Sequence, residues 1–289
     1  MIKLPPSVDI NNLIDDLRMF SWEASEVLLH YAKILKNSNN KDNILKNEDI
    51  NDPVTLADLK VNEMIIQRIN EKYKAVDWSI LSEENVKSCN INCDTNNDWL
   101  WILDPLDGTK DFIQGTGNYA MHLALNYKKK PYIGIVLIPE KDELWISNGQ
   151  KVWGEKRDGS KLEANIANAK NLHEMVVVTS KNHRNDTLKN LLDKANFKDI
   201  VVMGSIGCKI ASILRGQSDI YISLCLPGKS TPKDWDFAAP AAILKGAGGA
   251  ITNLRNEDLR YGQKDFEQGG IIIASNNKIE HKNICIQIK

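Results

Sequence analysis

The sequence predicts a mixed fold, an α+β half followed by an α/β half, and three observations carry that expectation. Apolar residues recur at three- and four-residue spacing along the first stretch of the chain. Between about residues 118 and 162, alternating apolar segments are separated by turn residues. After about residue 165, strand-like runs alternate with helix-like ones. The expected division is residues 1–164 and 165–289, and no internal repeat is visible.

The elements follow in order. Leu13, Leu17, Phe20, Ala24, Leu28 and Leu35 fall on one helical face, with Ser7 or Asp9 as the cap. A polar, Asn- and Lys-rich stretch over 36–52 reads as a surface loop. A second helix fits 55–69, through Val61 and Ile65. Short apolar runs at 78–81 and 99–103 read as strands, each ending in acids. A meander is expected over 122–127, 132–138, 143–147 and 152–154, with Lys129-Lys130-Pro131 and Ser147-Asn148-Gly149 at turns. In the second half, strands are expected at 175–179, 199–203 and 220–224, and helices at 187–196, 207–214 and 237–246.

Composition narrows the function. The 289 residues carry 37 Lys+Arg against 38 Asp+Glu, a formal net charge of -1. A balance without a polybasic tail argues against a nucleic-acid polymer or an anionic membrane as the main partner. The apolar fraction of 42% is too high for disorder. Cys89, Cys93, Cys208, Cys225 and Cys285 are odd in number and irregularly spaced, which suits reduced thiols better than a disulfide framework. No secretory signal or membrane-spanning run is read, so a cytoplasmic location is expected, as monomer or homodimer.

The chemistry lies in acidic segments. Asp58 sits in D-P-V-T-L-A-D, Glu83 and Glu84 follow W-S-I-L-S, and Asp104 and Asp107 bracket a proline in W-I-L-D-P-L-D-G-T-K-D-F. Asp236 lies in D-W-D-F-A-A-P-A-A-I-L-K-G-A-G-G. Strand ends and helix starts are where α/β proteins present groups to a ligand. Pro105 is expected to end its strand and turn both aspartates to one side. Gly108 would let backbone approach a ligand, with the Gly108 and Thr109 amides facing an anion. Carboxylates beside anion-receiving amides make sense with a cation between them. Oxygen donors without His or Cys suggest Mg²⁺, with Mn²⁺ as a substitute. The implied chemistry is phosphate-ester hydrolysis with two cations about 3.5–4 Å apart. Singly, each segment has a structural explanation: a turn, a solvated acid pair, a helix cap at Asp58 or at Asp236. Together and in this order they point to a site.

These motifs resemble the inositol monophosphatase-like superfamily of Mg²⁺-dependent, Li⁺-sensitive phosphatases, over about residues 10–275. D-P-L-D-G-T-K-D-F looks most like the 3'(2'),5'-bisphosphate nucleotidase branch, called CysQ in bacteria, as do S-K-N-H with His183 and G-S-I-G-C-K with Lys209. The resemblance implies a layered αβαβα sandwich. It implies two or three Mg²⁺ ions held by Glu83, Asp104, the Leu106 carbonyl, Asp107 and Asp236. Asp58 and Thr109 would orient and deprotonate the attacking water. Asp107, Gly108 and Thr109 would contact the scissile phosphate, and His183, Ser205 and Lys209 the rest of the substrate.

The implied reaction converts adenosine 3',5'-bisphosphate to AMP and phosphate, with a place in sulfur assimilation. Two positions depart from the branch: Ile206 stands where a Ser is expected and Ser223 where an Arg is expected. Lys229 or Lys233 would be the nearest substitute for that positive charge. The alternatives are an inositol monophosphatase or fructose-1,6-bisphosphatase with the same mechanism, and a non-catalytic nucleotide- or phosphate-binding protein. Metal-free glycoside hydrolysis by a carboxylate pair is a further, chemically distinct option.

Overall fold

The computed structural model describes residues 2–37, 55–89, 97–165, 170–180, 186–225 and 231–289. Two sheets organise it. The first has seven strands in chain order: β1 (Ser79–Ser82), β2 (Trp99–Asp107), β3 (Ala120–Tyr127), β4 (Lys130–Ile138), β5 (Glu143–Ser147), β6 (Val152–Glu155) and β7 (Lys161–Leu162). Only β1 and β2 are parallel; the rest is an antiparallel meander. The second sheet joins β8 (Val176–Ser180), β9 (Asp199–Met203), β10 (Ile220–Cys225), β11 (Ala250–Asn253) and β12 (Gly270–Ser275) in the order β11-β12-β10-β8-β9.

Alternation along β2 shows how the layers form. Trp99, Trp101 and Leu103 face a core shared with α1 (Ile10–Asn37) and α2 (Leu56–Lys72). Leu100 and Ile102 face the opposite core, shared with α6 (Ile206–Leu214) and α7 (Asp234–Gly246). That second core continues to Val178, Tyr221 and Ile272 of the other sheet. The far face of that sheet packs Val177, Ile222 and Ile273 against α5 (Asp186–Ala195) and α8 (Lys278–Ile288). The result is the αβαβα layering. Burying both faces of β2 also explains its nearly unbroken apolar sequence.

The structure corrects several boundaries. Asp9 caps α1, its Oδ1 accepting the Asn11 and Asn12 amides at 2.9 and 3.0 Å. The β3–β4 turn is at Lys128–Lys129, one residue earlier than expected, because Tyr127 pairs with Lys130. Helix α7 starts at Asp234, before the expected 237. Six elements were not read from sequence: α3 (Glu83–Cys89), α4 (Thr109–Gln114), β7, β11, β12 and α8. The expected loop over 36–52 falls mostly outside the described residues. Cys208, Cys225 and Cys285 are buried free thiols. Among the described residues no helix is long and apolar enough to cross a membrane.

Candidate active site

Asp104 lies opposite His122 and Asp107 opposite Ala120, so three steps along β2 match two along β3. This is a bulge at Pro105 and Leu106. In a regular strand, residues three apart face opposite sides. The extra residue lets Asp104 and Asp107 share one. Proline cannot donate to a strand ladder, and a bulge is where a sheet tolerates it. The strand therefore continues through Asp107 instead of ending at Pro105.

Asp236 completes the group. Carboxylate oxygens of Asp104, Asp107 and Asp236 all lie within 4.8 Å of one another. Asp236 sits in the first turn of α7, where its Oδ2 accepts the Lys233 amide at 2.7 Å. Asp58 has the equivalent place in α2. Its Oδ2 accepts the Thr55 amide at 2.8 Å and the Thr55 hydroxyl at 2.5 Å, while Thr55 Oγ1 accepts the Ala57 amide. Asp58 Oδ1 is left to meet the Thr109 hydroxyl at 3.4 Å, and that hydroxyl also lies 3.0 Å from the Leu106 carbonyl. The capping and functional explanations of Asp58 and Asp236 are therefore compatible: one oxygen ties off the helix, and the other is available to the site.

The electrostatics are those of a cation site. Burial pushes Asp104 well above its ordinary value, and the charges of Glu83, Asp107 and Asp236 push it further. Asp236 rises in the same way, through burial and then Asp107 and Glu83. Burial raises Asp58 to about 7, with Glu83 adding to the effect and Thr55 opposing it. Glu83 thus acts on all three from the start of α3, where its carboxylate pairs with Lys87 at 2.8 Å. Anions converging in a buried space need a counter-charge, and hard oxygen donors fit Mg²⁺ or Mn²⁺.

Asp107 is oriented from the second half of the chain. Its Oδ2 accepts the Ser205 hydroxyl at 2.6 Å and the amides of Ile206 and Gly207 at 2.5 and 3.2 Å. These donors form the N-terminus of α6, whose dipole favours a carboxylate. Gly207 makes the approach possible: a Cβ there would lie 2.3 Å from His122 Nε2. Gly108, in the left-handed region at φ 87, has Asn118 O only 2.9 Å from where a Cβ would stand.

Ser205 is fully buried, its only proton goes to Asp107, and its oxygen accepts the Cys208 amide at 3.1 Å. In this arrangement it orients a carboxylate. Lys209 is also buried, with Nζ donating to Gly204 O at 2.5 Å and lying 5.5 Å from the centre of the Tyr221 ring. Burial lowers its pKa, while Asp107 and Asp236 act in the opposite direction. His183 and Lys229 lie outside the described residues. Lys233 is held by Asp265 O and Glu267.

Sequence reasoning missed Thr55 and His122 as parts of the site. The T-x-x-D spacing of Thr55 and Asp58 was the available signal for the first. His122 is fully buried, with Nε2 3.3 Å from Asp107 Oδ2 and Nδ1 3.4 Å from Trp235 O. Burial holds it below the usual histidine range, against the pull of Asp107.

Comparison with known proteins bears on the family and the fold. A 3'(2'),5'-bisphosphate nucleotidase CysQ from Buchnera aphidicola is 32% identical over 232 residues, covering 80% of this chain and 82% of the relative. The CysQ of Escherichia coli K12 is 28% identical over 213 residues, covering 73% and 80%. Among solved structures, the Thermotoga maritima IMPase superposes with a TM-score of 0.74 at 22% identity, covering 96% of each chain. The inositol monophosphatase family matches residues 13–289, and the chain belongs to it.

Proposed function

We propose that this metal-dependent phosphomonoesterase is a 3'(2'),5'-bisphosphate nucleotidase, releasing AMP and phosphate from adenosine 3',5'-bisphosphate. The observation that carries the chemistry is the Asp104–Asp107–Asp236 group, with Asp104 and Asp107 buried, beside the Asp58–Thr109 pair. The Buchnera relative, named for that activity, supports the substrate.

Glu83, Asp104, Asp107, Asp236 and the Leu106 carbonyl would hold the cations. Bound Mg²⁺ supplies charge neutralisation, polarisation of the phosphoryl group and a lowered pKa for water. The chain's own residues do the positioning. Thr109 Oγ1 lies between Asp58 Oδ1 and Leu106 O, so its proton can pass to Asp58 as the oxygen accepts one from water. Burial keeps Asp58 basic enough for that exchange near neutral pH. The first amides of α4 have no intrahelical partners and would receive phosphate oxygens. Lys209 adds a buried positive charge near Asp107 and Asp236, suited to a second substrate anion.

The test is turnover of adenosine 3',5'-bisphosphate, inositol 1-phosphate and fructose 1,6-bisphosphate side by side with Mg²⁺. The nucleotide should have the highest kcat/KM. If it is the poorest of the three, the substrate assignment fails, and Ser223 in place of Arg favours the inositol or sugar phosphate.

A further inference from the structure

A cavity of about 680 Å³ lies apart from the acid cluster and shares no lining residue with it. Its walls come from the β3–β4 turn, the second half of α7, the start of β11 and residues 257–263. Lys128, Lys129, Lys130, Lys245, Arg260 and Lys278 line it, against Glu257 and Asp258. This concentration of positive charge occurs in a chain whose formal net charge is -1. Among the described residues only Lys128 of the six has an ion pair, with Asp98 at 3.7 Å. Glu257 is engaged on its own side by Asn253 Nδ2 at 2.8 Å and Arg255 at 4.0 Å.

The turn that contributes Lys128 and Lys129 is unusual. Lys128 and Lys129 hold φ values of 48 and 62, in the left-handed region where Asn and Gly are the unstrained choices. The remaining wall is apolar, formed by Pro131, Ala241, Ile251 and Leu259.

We propose that this cavity is a second, regulatory site for a small phosphorylated molecule with an apolar ring, of the nucleoside diphosphate class. The lysines and Arg260 take the phosphates, and the ring lies on the apolar wall. The cavity is linked to catalysis through Asp234, two residues from Asp236. Asp234 accepts the Gly262 amide and Gln268 Nε2, both at 2.6 Å, and Gln268 also donates to the Arg260 carbonyl. The cavity wall and the helix carrying Asp236 therefore share hydrogen bonds.

Calorimetry of the full chain with ADP and with pyrophosphate tests the site, with divalent ions removed by EDTA so that the acid cluster repels both probes. ADP should bind once per chain, and the Lys245→Ala/Arg260→Ala variant should bind it at least about tenfold more weakly. No binding at millimolar ADP, or unchanged binding by the double variant, overturns the site. Pyrophosphate should bind less tightly than ADP; equal affinity overturns the role of the apolar wall. With Mg²⁺ and whichever phosphomonoester is turned over fastest, ADP should change the rate of the wild type, and the double variant should lose that response while keeping its basal rate. A response that survives in the variant overturns the regulatory role, whatever the preferred substrate.

Discussion

Ser205 donates its hydroxyl proton to Asp107 across 98 positions of sequence, at 2.6 Å. The bond ties the last residue of β2 to the cap of α6, so a candidate metal ligand from the first sheet is held by a helix associated with the second. Asp107 Oδ2 receives three donors in all, which leaves Oδ1 as the oxygen free to face a cation.

Ser205→Ala removes both this bond and the cap on α6. Loss of a cap costs about 1 kcal/mol of stability. Loss of a hydrogen bond that orients a metal ligand typically costs about 10–100-fold in metal affinity or activity. The expected outcome is a small drop in melting temperature with a much larger rise in the Mg²⁺ concentration giving half-maximal rate. Equal Mg²⁺ dependence in variant and wild type would show that α6 alone fixes Asp107.

Thr109→Val keeps the shape at the start of α4 and removes the hydroxyl between Asp58 and Leu106. General-base contributions of this kind are worth about 10²–10⁴-fold, so kcat should fall in that range. Thr109→Ser should keep most of the rate. The Mg²⁺-induced rise in melting temperature should persist in both, since the hydroxyl is not among the proposed metal ligands. A valine variant with wild-type kcat would remove Thr109 from the proton path.

The acids were legible in sequence because each lies in a short local pattern: D-P-L-D-G-T at the end of a strand, and aspartates in the first turns of α2 and α7. What positions them was not legible. The bulge that brings Asp104 and Asp107 to one side depends on pairing with β3, and local sequence does not reveal that register. His122 reads as one polar residue in an apolar strand until Gly207 is found against it. Strand β12, G-I-I-I-A-S, carries no alternation, and α8 leaves Ile279 and Ile286 exposed, so neither has a clear period.

Gly207→Ala tests the close approach of α6 to β3. The added methyl would meet His122 Nε2 at 2.3 Å and Val136 Cγ1 at 2.9 Å, on a fully buried face. Overpacking costs about 1–3 kcal/mol, which chemical denaturation resolves. The α6 amides should also draw back from Asp107, lowering activity beyond what the lost stability explains. A variant with both unchanged would show that α6 shifts without strain.

Removing the divalent ions should reverse the usual preference of stability for neutral pH. Asp58 has its folded value raised from 3.8 to about 7, and Asp104 and Asp236 are raised in the same direction. A carboxyl raised on folding binds more protons in the folded state, so its contribution to stability is lost as pH rises through the window from 3.8 towards 7. Buried His122 and His281 act in the opposite direction, since both are lowered and must take up protons on acid unfolding. Asp104→Asn separates the two effects, because the amide oxygen can still accept the Leu106 amide while one buried charge is gone. In EDTA the variant should melt above the wild type at pH 8, and the difference should close towards pH 5. With Mg²⁺ the order should invert, because cations stabilise the intact acid group most where it is fully ionised. A variant less stable than wild type in EDTA at pH 8 would mean that repulsion among these acids is not what the metal relieves.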